Sequence, residues 1–210
     1  MPQIQAPAVA VPNKAFPGNI TGVGSGVAGE LVVSELMGRY ATLVKTGRVQ
    51  TAYALMTAPV IYSTAAATGG PLIWNKPGSG LDAHLLAVAF SSSVVTTVAG
   101  GLGITGASGQ NAAPSTATAI DASGNALVGG PSSGMGGVYR LGTVANAGGF
   151  FVPFAEFHTG ALTVDTFGLT WVPLDGMFLC PPGGWISVAG TATLTTLQVA
   201  VALVWAELPS

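Results

Sequence analysis

Asp175–Pro209 reads DGMFLCPPGGWISVAGTATLTTLQVAVALVWAELP, and its spacing decides the fold class. Met177–Cys180 leads into the turn Pro181-Pro182-Gly183-Gly184, Trp185–Ala189 resumes extended chain, and Thr195–Glu207 runs out in steps of two. Leu197, Val199, Val201, Leu203 and Trp205 fall on one face of that last strand, and Ala200, Ala202, Val204 and Ala206 on the other, because successive strand side chains point to opposite sides. The stretch predicts two antiparallel strands with one bulky face and one small face.

The same split recurs upstream. Val49, Thr51, Tyr53, Leu55 and Thr57 alternate with Gln50, Ala52, Ala54, Met56 and Ala58 until Pro59 stops the ladder, and His84, Leu86, Val88 and Phe90 alternate with Leu85, Ala87 and Ala89. A bulky face suits a sandwich core, whereas a face of alanines admits the close approach of a helix of the same chain or of another subunit. Further strands are expected at Gly137–Gly142, Phe150–Phe157, Ala161–Thr166 and Leu169–Pro173, separated by turn clusters such as Asn75-Lys76-Pro77-Gly78-Ser79-Gly80. The total of about eight matches a jelly roll. The Ser/Gly/Ala-rich stretch Thr105–Gly137 fits either a low-complexity loop or short irregular strands.

Glu30–Lys45 carries the one helical pattern: Val32, Val33, Leu36, Met37, Tyr40, Leu43 and Val44 recur at three- and four-residue steps, with Glu30 near the start, Lys45 near the end and Gly47 as a stop. Before it, Pro2, Pro7, Pro12 and Pro17 and then Gly18, Gly22, Gly24 and Gly26 favour an extended arm suited to lying across a neighbouring subunit. The expected organisation is an arm over residues 1–29 and a single mainly β domain over residues 30–210, a jelly-roll-like antiparallel β-sandwich including the helix 30–45.

Composition narrows the partners. Only 7% of the 210 residues are charged, against roughly a quarter in an average soluble domain. Such a chain belongs in an assembly or a membrane. Leu85–Ile104 and Ile186–Ala206 have bilayer-spanning length without formal charge, but Ser, Thr and Gly lace both, and no basic flank orients them. A membrane barrel would show polar lumen positions where this chain has alanine. The N-terminus has no basic segment followed by an unbroken apolar run, so a signal peptide is not expected. Six Lys and Arg scattered along the chain make no basic stripe for nucleic acid.

Few residues offer chemistry. Gly24-Ser-Gly26-Val-Ala-Gly29 spells a dinucleotide motif but lacks the preceding strand and the later ribose-binding acid. Gly130-Pro-Ser132-Ser-Gly134 spells a nucleophile-elbow motif without an evident strand or helix around it. Asp82 with His84, and Glu156 with His158, each place two groups on one face of extended chain, but a metal site needs a third ligand. Cys180 reads as a small buried hydrophobe. Trp185 and Trp205 read as core or interface anchors, which leaves Trp74, beside its turn, as the tryptophan placed for exposed ligand contact. The expectation is a protein that is not an enzyme, with no catalytic, cofactor or metal residues.

Gly29-Glu30-Leu-Val-Val-Ser-Glu-Leu-Met-Gly-Arg-Tyr40, the strand Arg48–Thr57, and the ending Cys180-Pro-Pro-Gly-Gly-Trp185 with Val201-Ala-Leu-Val-Trp205-Ala-Glu207 together resemble small structural proteins of tailed bacteriophages. The likeness is to head decoration or cement proteins built on jelly-roll-like sandwiches. It implies a non-enzymatic virion protein that binds the major capsid protein on the outer head surface, often as a homotrimer, and locks neighbouring shell subunits together, with neither nucleic acid nor membrane as partner. A trimeric tail-fibre or spike module gripping cell-surface glycan is the alternative, and a jelly-roll shell subunit the second alternative.

Overall fold

In a computed structural model, the structure describes residues 24–25, 31–32, 40–57, 61–63, 70–94, 100–157, 169–192 and 198–210. The chain divides into two compact units, Met1–Thr42 and Leu43–Ser210. In the first, β1 (Gly24–Ser25) pairs antiparallel with β2 (Leu31–Val32). The arm expected over residues 1–29 otherwise lies outside the described residues, as does the strand expected at Ala161–Thr166.

The helix expected over 30–45 does not begin where expected, since Leu31–Val32 is strand; its described part is α1, Ala41–Lys45, and residues 33–39 lie outside the described residues. Two adjacent β-branched residues, Val32 and Val33, favour extended chain. Gly38 costs about 1 kcal/mol inside a helix, so the pattern is not carried through by propensity.

The second unit is an antiparallel β-sandwich. Its strands are β3 (Val49–Thr57), β4 (Leu72–Trp74), β5 (Leu81–Val94), β6 (Gly100–Ser108), β7 (Ser115–Ala119), β8 (Ala122–Asn125), β9 (Gly137–Thr143), β10 (Phe150–Phe157), β11 (Thr170–Cys180), β12 (Gly184–Gly190) and β13 (Gln198–Pro209). A six-stranded sheet runs β10-β6-β12-β4-β9-β7, and a five-stranded sheet runs β11-β5-β13-β3-β8. Eleven described strands thus build the sandwich where about eight were expected from the turn spacing. The stretch 105–137 resolves into the end of β6, then β7, β8 and a long loop.

Asp175–Pro209 is strand throughout its described core, but its strands do not pair with one another. β11 and β13 both pair with β5, whereas β12 pairs with β4 and β6 in the opposite sheet. The Pro181–Gly184 turn is therefore a crossing between sheets and not a hairpin. Asn75 holds that crossing: its Nδ2 donates to the Cys180 and Leu81 carbonyls at 2.9 and 2.6 Å, and its backbone bonds Gly184 and Gly183. Two prolines without N–H groups could not continue a ladder through the turn.

The core between the sheets takes the bulky face of β13, Val199, Val201, Leu203 and Trp205, with Val88 and Phe90 of β5, Leu102 and Ile104 of β6, and Ile186 and Val188 of β12. Each such buried side chain contributes about 1.5–3 kcal/mol. The alanine face of β3, expected to admit a helix of the same chain or another subunit, instead forms part of the core. There Ala52 and Ala54 sit opposite Leu203 and Val201 and are buried, while Tyr53 faces out. Bulky residues of β13 fill the space beside them, which is how facing positions reach interior packing density. On β5, Ala87 and Ala89 sit opposite Val204 and Ala202 and share the side of Trp171 and Pro173, yet they too are buried.

A second cluster, Leu72, Trp74, Val144 and Trp185, packs on the outer side of the six-stranded sheet with Tyr139 and Ala107. Loop residue Gln110 closes over it: Trp74 Nε1 donates to the Gln110 carbonyl at 3.0 Å, and Gln110 Oε1 accepts from Ala145 N–H at 2.6 Å.

Candidate functional site: polar locks and an apolar exterior

The groups that spell catalytic motifs turn out to hold loops. Ser133, beside Ser132 in the G-x-S-x-G spelling, donates to Glu207 Oε1 at 2.5 Å; Gly134 N–H donates to Oε2 at 2.9 Å and Trp205 Nε1 to Oε1 at 3.2 Å. Glu207 is buried at the end of β13, so its carboxylate is matched by three donors, as a buried charge requires. Gln50 and Asn125 add donors to the Pro131 carbonyl at 3.3 and 2.9 Å. The loop from 126 to 136 is thereby tied to the sandwich. No strand-to-helix elbow surrounds these serines, and the acceptor of Ser133 is a carboxylate that the motif spelling did not point to.

Gly24–Ser25 is followed by strand Leu31–Val32 folded back on it, where a phosphate-binding turn would open a helix. Asp82 and His84 do share a face on β5, with His84 opposite Ala206 and Leu179. Glu156 lies exposed on β10, and His158 lies outside the described residues. Among the described residues no group of three His, Cys, Asp or Glu side chains could hold a metal ion. Cys180 is buried in the core cluster, and its thiol is pushed up to about 12, first by burial, with Asp82 adding to the rise and a hydrogen bond from the Asn75 backbone opposing it.

Trp74, expected to be exposed, is buried under the Gln110 loop. Trp171 is the exposed tryptophan instead. Its sequence signal was its place in an edge strand, in alternation with Val172 and Leu174, which face the core.

A cleft of about 390 Å³ opens between β6, β12 and the edge strands β10 and β11, lined by Phe150, Leu179, Pro181 and Ile186, with Ser108 as its one hydroxyl. Phe150 stacks on Phe178 at 5.6 Å, so the two edge strands close one side of the sandwich. The cleft brings together no acid with a base. What distinguishes the surface is apolar area: Phe150 and Val152 on β10, and Trp171, Met177 and Leu179 on β11, are exposed, with Leu169 just before β11. The opposite edges, β7 with Ser115-Thr-Ala-Thr-Ala119 and β8 with Ala122-Ser-Gly-Asn125, carry small and polar residues.

Compared with protein-family models, with curated proteins and with solved structures, the chain matches none.

Proposed function

We propose that this protein is a non-enzymatic structural subunit that acts by assembly, as a capsid decoration or cement protein on the outer head surface of a tailed bacteriophage. The supporting observation is the exposed apolar side chains of β10 and β11 on a chain with 7% charged residues. Such a surface suits permanent contact with protein more than free solution. Binding only the assembled lattice raises the cost of disassembly by mass action.

The glycan-binding alternative has less support. Trp171 is exposed opposite Ala89 with Pro173 next on its own face, and neither offers a polar side chain to orient a sugar.

The test is an electron-microscopy map of intact particles, together with the disassembly temperature of undecorated capsids before and after adding purified protein. The reading expects density on the outer head surface and a raised disassembly temperature. Density confined to the tail, or no shift at saturating protein, would discard it.

A further inference from the structure

We propose that Asp175–Gly176 is a site of spontaneous backbone modification, at which the aspartate isomerises through a cyclic imide to a β-linked residue. This goes beyond the assembly reading and does not depend on it. Asp175-Gly176 is the chain's one Asp-Gly pair, and none of its asparagines precedes a glycine. The structure sets the pair in a bulge of β11. Pro173 pairs with Ala87 and Phe178 with Leu85, so Leu86 alone stands opposite Leu174, Asp175, Gly176 and Met177. Asp175 and Gly176 have φ of 53° and 80°, two successive left-handed residues as in a tight I′ turn. Asp175 is exposed, and β11 is an edge strand of its sheet.

These features bear on one reaction. The backbone nitrogen of Gly176 attacks Cγ of Asp175; a C–N bond forms, and the hydroxyl of the protonated carboxyl leaves with the amide proton as one water. Water then opens the five-membered imide. Attack at the side-chain carbonyl restores the original linkage, whereas attack at the main-chain carbonyl breaks its bond to the Gly176 nitrogen and leaves the chain running through Cγ. The net mass is unchanged, and no oxidant, cofactor or partner enters. Glycine leaves the nitrogen open to approach because no Cβ stands beside it. The bulge supplies freedom: ring closure rotates the backbone, and here the rotating residues have no register partner on β5 to lose. A left-handed φ is unfavourable for an L-residue, and the β-linked product, with one more backbone carbon, escapes that restriction.

The other described aspartates lack this setting. Asp82 precedes Ala83 inside the paired run of β5. Asp121 precedes Ala122, and its carboxylate accepts from the Leu55 N–H at 2.7 Å and from Arg140 at 3.2 Å.

The test ages the full chain at neutral pH and physiological temperature and locates β-linked aspartate by peptide mapping with electron-transfer fragmentation and by isoaspartyl methyltransferase labelling. Residue 175 should accumulate it at least about tenfold faster than residues 82 and 121, a barrier difference of about 1.4 kcal/mol, with a species lighter by one water on the way. Asp175→Asn keeps the turn, since asparagine visits the left-handed region readily, and should reach the same imide with the mass gain of deamidation. Asp175→Glu, whose ring would have six members, should abolish the labelling. Aged protein without β-linked aspartate at 175, equal accumulation at 82 or 121, or labelling that persists in Asp175→Glu would overturn the assignment.

Discussion

Two buried tryptophans show how the same side chain differs with its neighbours. Trp205 donates its indole N–H to Glu207, whereas the Trp185 Nε1 is buried without a partner. An unpaired buried donor costs about 1–3 kcal/mol, and removing one partner of a bond to a charged group costs a similar amount. Trp205→Phe should therefore destabilise more than Trp185→Phe by roughly 1–3 kcal/mol in urea unfolding; equal losses would mean that Glu207 gains nothing from the indole. Cys180 adds a pH dependence of definite sign. In the unfolded chain the thiol ionises near 9.0, and in the folded protein only at about 12. Between those values the native state binds more protons, so stability is full below pH 9 and falls as pH rises, by up to about 1.4 kcal/mol per unit. Urea unfolding of wild type and Cys180→Ala at pH 8 and 10.5 should show a steeper loss in the wild type, and parallel losses would remove the buried thiol as its source.

At the scale of elements, strands with strict alternation were legible and those built on glycine were not. Val49–Thr57 and the run to Pro209 follow the period of two over most of their length, while Phe150–Phe157 breaks it at a bulge between Pro153 and Ala155. β6, Gly-Gly-Leu-Gly-Ile-Thr-Gly-Ala-Ser, is not among the expected strands because glycine is depleted in strands. Its glycines are a packing requirement: a Cβ at Gly106 would lie 2.5 Å from the Trp185 carbonyl, and one at Gly103 would lie 2.6 Å from the Phe151 ring. Aromatic side chains of β10 cover the bare backbone. Gly106→Ala should therefore cost about 1–3 kcal/mol through forced backbone movement. Gly124→Ala on β8, where a Cβ meets nothing within 4 Å, should be neutral or stabilise by up to about 1 kcal/mol. Matched melting curves for the two variants would contradict the close-approach explanation. Sheet assignment of β11, β12 and β13 was also illegible. Alternation tells which side chains share a face but not which strand lies alongside, and here the crossing at Pro181–Gly184 is fixed by Asn75, more than a hundred residues upstream of Cys180.

At the scale of the whole molecule, low charge pointed to assembly from the sequence, while the surface itself emerged only from register. Alanines of β3 and of β5 look alike in sequence and both are buried, yet register puts Ala54 beside Val201 of the core and Ala89 beside exposed Trp171. An assembly contact made by such a chain should respond to solvent as apolar contact does. Charge-driven association weakens as the screening length falls from about 30 Å at 0.01 M salt to about 3 Å at 1 M, but apolar contact has no such dependence and is strengthened by sulfate. Binding of the purified protein to undecorated capsids should accordingly change less than about threefold between low and high sodium chloride and tighten in sulfate; a dissociation constant that rises steeply with sodium chloride would show that charges, and not the exposed apolar side chains of β10 and β11, carry the contact.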